Sequence, residues 1–163
     1  MGFTPADTAI MNEVEARLKN IRTGNGYNNQ FRRIERARMT VFKGHDLPAA
    51  NYYHANVSSE KTPYGHESKT MTLIVEAHSK TRDEPFIDIA DSLAADIVTG
   101  LFRSTSAPAT SDNVDISFGG TIRDIRYLSH DPFIGQGQEP FCGTLVQFEV
   151  RYETPLGNME NYE

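Results

Sequence analysis

Apolar residues recur at helical spacing in two stretches of the chain. In each stretch they are three and four positions apart, which places them on one face of a helix. The first stripe lies between Pro5 and Gly24, and the second follows Pro85 and ends near Gly100; proline is favoured in a first helical turn. Two amphipathic helices are therefore predicted, with these apolar stripes: Ile10, Val14, Leu18 and Ile21, then Ile89, Leu93, Ile97 and Leu101.

Alternation with a period of two predicts strands in much of the remaining chain. It is clearest over residues 70–78 and 144–153. Weaker alternation predicts further strands over residues 34–43, 51–57, 114–118 and 121–128. The stretches 58–69 and 129–140 are polar and contain Pro and Gly, so they are predicted as long loops.

The order of these elements indicates the fold class. A helix is followed by strands, then by a second helix and more strands. This order favours an α+β fold, with a mainly antiparallel sheet and two helices packed on one face. We expect residues 1–163 to form a single domain, with a mobile C-terminal tail from about residue 155.

Composition excludes several classes of protein. Hydrophobic residues make up 38% of the 163 residues, too many for a fully disordered chain, and no apolar run is long enough for a membrane helix. The N-terminus lacks the features of a signal peptide, which predicts synthesis in a cytoplasm and no membrane partner. Cys142 is the one cysteine, so neither an internal disulfide nor a thiolate metal cluster is expected.

Charge is distributed unevenly along the sequence. The net charge is −6, which argues against a dedicated nucleic-acid binder. Residues 1–43 hold 8 Lys and Arg against 4 Asp and Glu, a charge of +4, whereas the rest of the chain holds 8 against 18, a charge of −10. These parts can complement each other within one chain or between copies, or the asymmetry is a chance feature of solvated faces.

No motif in the sequence performs a reaction. The five histidines have no partner at metal-ligand spacing, and Gly135 to Gln138 lacks the Lys and Ser or Thr of a phosphate loop. Asp88, Asp91 and Asp96 are predicted on the solvent side of the second helix, opposite its apolar stripe. Asp88 and Asp91 share a helix face and suggest a divalent-cation site, but the helix dipole accounts for acids near an N-terminus. We therefore predict no catalytic, cofactor-binding or metal-binding residues.

Candidate contact residues follow from charge and from the predicted loops. Alternation on a strand would direct two arginines to one face, where they could meet an acidic neighbour. Aromatic and polar residues on long loops are typical of protein–protein contacts. The candidate interface residues are Arg36, Arg38, Tyr64, Lys69, His130, Phe133 and Gln136.

The whole pattern resembles the tail terminator proteins of long-tailed bacteriophages. The resemblance extends over about residues 6–155 and rests on the order of elements. An N-terminal helix leads into a basic strand, then into Met71-Thr72-Leu73-Ile74-Val75-Glu76-Ala77 and the helix of residues 87–98. Two strands follow, and the last strand ends in Phe148-Glu149-Val150-Arg151-Tyr152-Glu153-Thr154.

The resemblance implies a structural virion protein and no enzymatic activity. Such proteins form a homo-hexameric ring at the head-proximal end of the tail, end polymerisation of the tail tube protein and dock the head or neck connector protein. DNA passes through the ring without sequence-specific binding. Two alternatives stay open: another ring protein of the head–tail junction, such as a neck or stopper protein, and a small metal-dependent hydrolase that uses Asp88 and Asp91.

Overall fold

Two helices form where the apolar stripes predict them. Helix α1 spans Ala6–Lys19 and helix α2 spans Phe86–Leu101. Pro5 and Pro85 immediately precede them, because a residue without an N–H is tolerated where no helical acceptor exists. The structure, a computed structural model, describes residues 5–82, 84–135 and 141–155. The predicted mobile tail beyond Pro155 lies outside the described residues.

Five strands form one sheet in the order β1-β2-β3-β5-β4. Neighbouring strands are antiparallel, except that β1 runs parallel to β2. The sheet and the two helices confirm the predicted α+β fold. The strands are β1 (Arg33–Arg36), β2 (Ala49–Lys61), β3 (His66–Lys80), β4 (Asp124–Gly135) and β5 (Phe141–Pro155).

Both helices pack on the same face of the sheet. Alternate residues of the central strands β3 and β5 are buried under them, as the period of two predicts. The apolar stripes of both helices are buried against these strands, which places the core between the two layers. The central residues of this core are Ile10, Val14, Leu18, Met71, Leu73, Val75, Leu93, Ile97, Val146, Phe148 and Val150.

The predicted strand over residues 34–43 is wrong beyond its first few residues. Strand β1 ends at Arg36, because Ala37 adopts a positive φ of 51° that turns the chain out of the sheet. The Ala37 N–H still donates to the Tyr52 carbonyl, whereas the Arg38 N–H donates to the side chain of Asn51. Arg36 and Arg38 therefore do not share one strand face.

The two predicted long loops are largely strands. Strand β2 continues to Lys61 and β3 begins at His66, so the connection between them is short and contains Gly65 at a φ of 76°. Strand β4 likewise continues to Gly135. The polar residues are held by backbone pairing, since residues 67–70 pair with β2 on one side and with β5 on the other. Residues 136–140 lie outside the described residues.

The predicted strand over residues 114–118 is also wrong. Val114 forms a single bridge with Arg103, and the following residues form a turn around the Asp115 side chain. The Asp115 carboxylate accepts the N–H groups of Ser117 and Gly119 and the Ser117 hydroxyl. This side chain supplies local hydrogen bonds in place of a strand ladder, and β4 begins only at Asp124.

Arg17 connects helix α1 to this turn. Its side chain is 1% exposed, and Nη1 donates to the carbonyls of Leu101 at 2.9 Å and Asp115 at 2.7 Å. Nη2 donates to Asp115 Oδ2 at 2.8 Å, and Nε donates to the Glu13 carboxylate at 3.0 Å. The guanidinium carbon also lies 4.4 Å from the centre of the Phe118 ring. The buried charge is thus both paired and hydrogen-bonded.

Asp96 has the corresponding role on the other helix. The prediction that Asp96 lies with Asp88 and Asp91 on the solvent side of α2 is wrong, because Asp96 is buried. Its carboxylate accepts the N–H groups of Asn28 at 3.3 Å and Asn29 at 2.7 Å, and the Asn29 side-chain amide at 2.9 Å. These bonds fasten the segment after α1 to α2.

Replacing Arg17 with methionine tests the buried charge. Arg17→Met keeps a long side chain but leaves two buried carbonyls and a carboxylate without their donors, so we expect unfolding to require roughly 3–5 kcal/mol less free energy. Urea denaturation followed by circular dichroism measures the change. Lys19→Met is the control, because the Lys19–Glu15 pair is exposed and contributes at most about 1 kcal/mol. Equal losses in the two variants would contradict the assignment.

The Asp115 carboxylate should make stability depend on acidic pH. Burial raises its pKa, but hydrogen bonds from Ser117, Arg17 and Gly119 outweigh burial and lower the pKa to about 2. A folded-state pKa below the ordinary value of 3.8 gives stability that is present above about pH 4 and is lost towards pH 2. Asp115→Asn should be less stable than the unmodified protein at pH 7, and its stability should fall less over that pH window. The control Asp112→Asn changes an exposed side chain, so it should be as stable as the unmodified protein at each pH. Urea titrations at each pH measure these stabilities.

Candidate assembly interface

The two outer strands of the sheet each leave one side without a strand partner in the described part of the chain. Strand β1 has 4 residues and β4 has 12, and they lie at opposite ends of the strand order. Unpaired N–H and C=O groups at a sheet edge promote association with another chain. The surfaces beside these two edges differ in shape and charge.

A groove runs between helix α2 and the edge strand β4. Its volume is about 300 Å³, and its walls are mostly apolar. The Asp91 carboxylate at its rim is 54% exposed, and Asp88 lies exposed one turn earlier on the helix. We call this the α2–β4 groove; its lining residues are Asp91, Ala94, Ala95, Val98, Thr99, Tyr127 and His130.

His130 joins the two walls of this groove. Its Nδ1 lies 2.6 Å from the Tyr127 hydroxyl and its Nε2 lies 3.1 Å from Asp91 Oδ1. Both rings face the helix, although residues three apart on a regular strand lie on opposite faces. A register shift between Tyr127 and Ser129 inserts Leu128 as an extra residue and produces this arrangement. Sequence alternation gives no signal for it.

The opposite edge carries a projecting basic loop, residues 37–43, which we call the edge loop. The Arg38 guanidinium lies 4.6 Å from the centre of the Phe42 ring, and its Nε donates to the Thr40 carbonyl at 2.9 Å. Met39 is 99% exposed and Val41 is 76% exposed at the tip. Because the sequence predicted a strand here, Met39 and Val41 were not among the candidate contact residues. Their position beside four arginines is visible in the sequence.

An aromatic cluster covers the sheet face opposite the helices. The His78 ring centre lies 5.4 Å from that of Phe42, 5.2 Å from Phe133 and 6.1 Å from Phe141. Burial lowers the pKa of His78, while the nearby Glu76 carboxylate opposes that shift. The imidazole therefore favours its neutral form and packs as an aromatic ring, and it connects the edge loop to β3 and β5.

Glycine in β5 makes room for this cluster. Phe133 on β4 pairs across the strands with Gly143, and a Cβ at Gly143 would lie 2.7 Å from the Phe133 ring and 2.0 Å from the Ala77 carbonyl oxygen. The ring covers the exposed backbone that a glycine leaves in a strand. Phe133 is thereby a packing residue of the described sheet.

The remaining predicted interface residues differ in accessibility. Arg36 is exposed on β1, and Tyr64 is 84% exposed in the turn between β2 and β3. Lys69 is 4% exposed and lies 3.9 Å from Glu67, so it presents little surface. The Arg38 guanidinium already packs on the Phe42 ring and forms an ion pair with Glu35 within its own chain. Gln136 lies outside the described residues.

The carboxylates of α2 do not converge with other metal ligands. Within residues 5–82, 84–135 and 141–155, no group of three His, Cys, Asp or Glu side chains is arranged to hold a metal ion. Asp91 contacts His130, and Asp88 enters no ion pair there. In the same ranges, neither helix has the length and apolar character needed to span a bilayer.

Comparison with protein-family models and with curated protein sequences found no match.

Replacing Gly143 with alanine should disturb the aromatic cluster. The added Cβ would overlap the Ala77 carbonyl and the Phe133 ring, so we expect a loss of roughly 1–3 kcal/mol in unfolding free energy. Chemical denaturation measures it. Gly24→Ala is a matched control, because nothing lies within 4 Å of a Cβ at that position. A Gly143→Ala protein as stable as the Gly24→Ala protein would contradict this packing.

Proposed function

We propose that this chain is a structural protein of a bacteriophage tail. In this role it forms a ring at the head-proximal end of the tail tube, ends tube polymerisation and provides the surface on which head or neck proteins dock. The proposal combines the order of elements, which resembles tail terminators, with the surfaces at the two sheet edges. It assigns the chain an assembly function in the virion and no reaction.

The unlike sheet edges are the observation that carries the proposal. A ring of identical subunits uses two different surfaces on each subunit, and contacts of this kind close when the rotation between neighbours permits. This chain has a long edge with an adjoining groove at β4, and a short edge with a projecting loop at β1. Strands β1 and β4 stand at opposite ends of the strand order, and in the proposed ring each would meet a different neighbour.

Charge at the two edges supports the same arrangement. Arg32, Arg36 and Lys43 near the β1 edge are exposed and form no ion pair with a described residue. Asp91 is exposed at the groove beside β4, and Asp88 is exposed one turn earlier on α2. Opposite charges on facing surfaces increase association rates and select the relative orientation of the partners.

The β2–β3 hairpin offers a surface for the tube or the neck. Its outer part is stiffened by β5, because residues 67–70 pair with residues 151–154 as well as with β2. Tyr64 projects from the turn at its end. An exposed tyrosine on a rigid support suits a protein contact, since little conformational freedom is lost when it is buried.

The six-fold symmetry and the partners come from the resemblance. Accordingly, we propose a homo-hexamer that contacts the tail tube protein on one face and a head or neck connector protein on the other. DNA would pass through the lumen, and the net charge of −6 suits a passage that does not retain DNA. A neck or stopper ring would use similar surfaces, and its position in the virion distinguishes it.

Solution mass and microscopy test the proposal together. Multi-angle light scattering over a range of concentrations should show six times the mass of 18.3 kDa, and negative-stain images should show closed rings. Antibody labelling of assembled tails should mark the end that joins the head. Label on the head side of the neck would instead support a neck or stopper protein. A protein that stays monomeric, or forms only a tight dimer, at every concentration would contradict a self-assembling ring.

Reversing one charge at the β1 edge should weaken the ring. In Arg36→Asp an exposed cation that forms no ion pair with a described residue becomes an anion, and in the proposed ring it would face the acidic surface of a neighbour. We therefore expect at least a ten-fold higher concentration for half-assembly. Light scattering measures that concentration. Arg22→Asp reverses an exposed arginine that belongs to neither edge strand and should assemble normally. Equal assembly by both variants would count against the charge argument.

A further inference from the structure

We propose that the α2–β4 groove binds the edge loop of a second copy of this chain. The inference rests on the proposed function, because it names the two surfaces through which neighbouring ring subunits would contact each other. Met39 and Val41 would enter the groove, and the basic residues beside them would face Asp88 and Asp91.

The edge loop is a preformed apolar projection. Met39 and Val41 are almost fully exposed, whereas Arg38 behind them is held by the Phe42 ring, Glu35 and the Thr40 carbonyl. Phe42 is in turn packed on His78 of the sheet. A loop fixed in this way loses little conformational freedom on binding, so more of the apolar contact appears as affinity.

The groove suits these side chains in size and character. Its volume of about 300 Å³ equals that of about ten water molecules, which is enough for the two aliphatic side chains. Ala94, Ala95 and Val98 supply an apolar helix wall, and the small side chain of Ala95 is exposed. Tyr127 is exposed on the opposite wall, so burying these surfaces together removes apolar area from water on both partners.

The charges around the two surfaces are complementary. Arg36 and Lys43 flank the tip of the edge loop and form no ion pair with a described residue. Asp91 lies at the rim of the groove, and Asp88 is exposed one turn earlier on α2. The apolar side chains would lie between these opposite charges, as in an interface with an apolar centre and a polar rim.

The geometry of the sheet favours a second copy as the occupant. Phe42 holds the edge loop on the sheet face that carries His78 and Phe133, whereas the groove lies on the helix side of the sheet, so the loop of one chain cannot reach its own groove. Each copy presents both halves of the contact, and repeated binding of loop to groove gives head-to-tail association.

Cysteine crosslinking tests the contact directly. The variant with both Met39→Cys and Ala95→Cys should give, with a short bismaleimide, a ladder of covalent oligomers on denaturing gels. A mixture of the two single variants should give crosslinked dimers and nothing larger. Each single variant alone should give no crosslinked oligomers. The native Cys142 is fully buried, so the unmodified protein should stay uncrosslinked. A double variant with Val57→Cys in place of Met39→Cys is the matched control and should give no ladder.

A second variant measures the apolar contact without crosslinking. Met39→Asp should raise the concentration for half-assembly at least ten-fold, whereas Val57→Asp should not change it. Both positions are exposed, so both proteins should unfold at the same urea concentration as the unmodified chain. A normal ring with no crosslinks and no effect of Met39→Asp overturns this contact and leaves the ring proposal intact. A chain that stays monomeric and gives no crosslinks overturns both.

Discussion

The buried guanidinium of Arg17 is the interaction on which the helical layer depends. It binds the last carbonyl of α2, the turn at Asp115 and a carboxylate of its own helix, so three segments far apart in sequence share one side chain. Asp96 provides a second buried charge, which fastens the segment after α1 to α2. A buried charge requires partners in particular places, and it therefore selects one arrangement of the helices more strictly than apolar packing does.

This arrangement of α2 has a direct consequence at the surface. The helix is held from its inner side by Arg17 and Asp96, and its outer side, with Asp91 and Ala95, faces the edge strand β4. His130 then spans the gap from β4 to α2. The position of the α2 wall of the groove is thus set by Arg17 and Asp96, which do not line it. Changes near Arg17 would alter the groove through the position of the helix.

The sequence predicts those parts of the structure in which side-chain burial is periodic. The stripe on α2 and the alternation in β3 and β5 identified the elements and the core face, and hence the fold class. Strand ends in the β2–β3 hairpin were missed, because backbone pairing with β5 holds polar residues that carry no apolar pattern. The groove was missed because a single extra residue, Leu128, places Tyr127 and His130 on one face.

The parallel pairing of β1 with β2 determines the shape of one whole edge of the molecule. An antiparallel neighbour can be reached through a two-residue turn, but a parallel neighbour requires the chain to travel back along the sheet before it starts again. Residues 37–48 run back along the sheet between these two strands, and they include the short 3-10 helix Gly44–Asp46. The protruding segment is therefore a requirement of chain direction. A shorter connection that reversed β1 would remove the projection together with its apolar tip, even if every other strand kept its place.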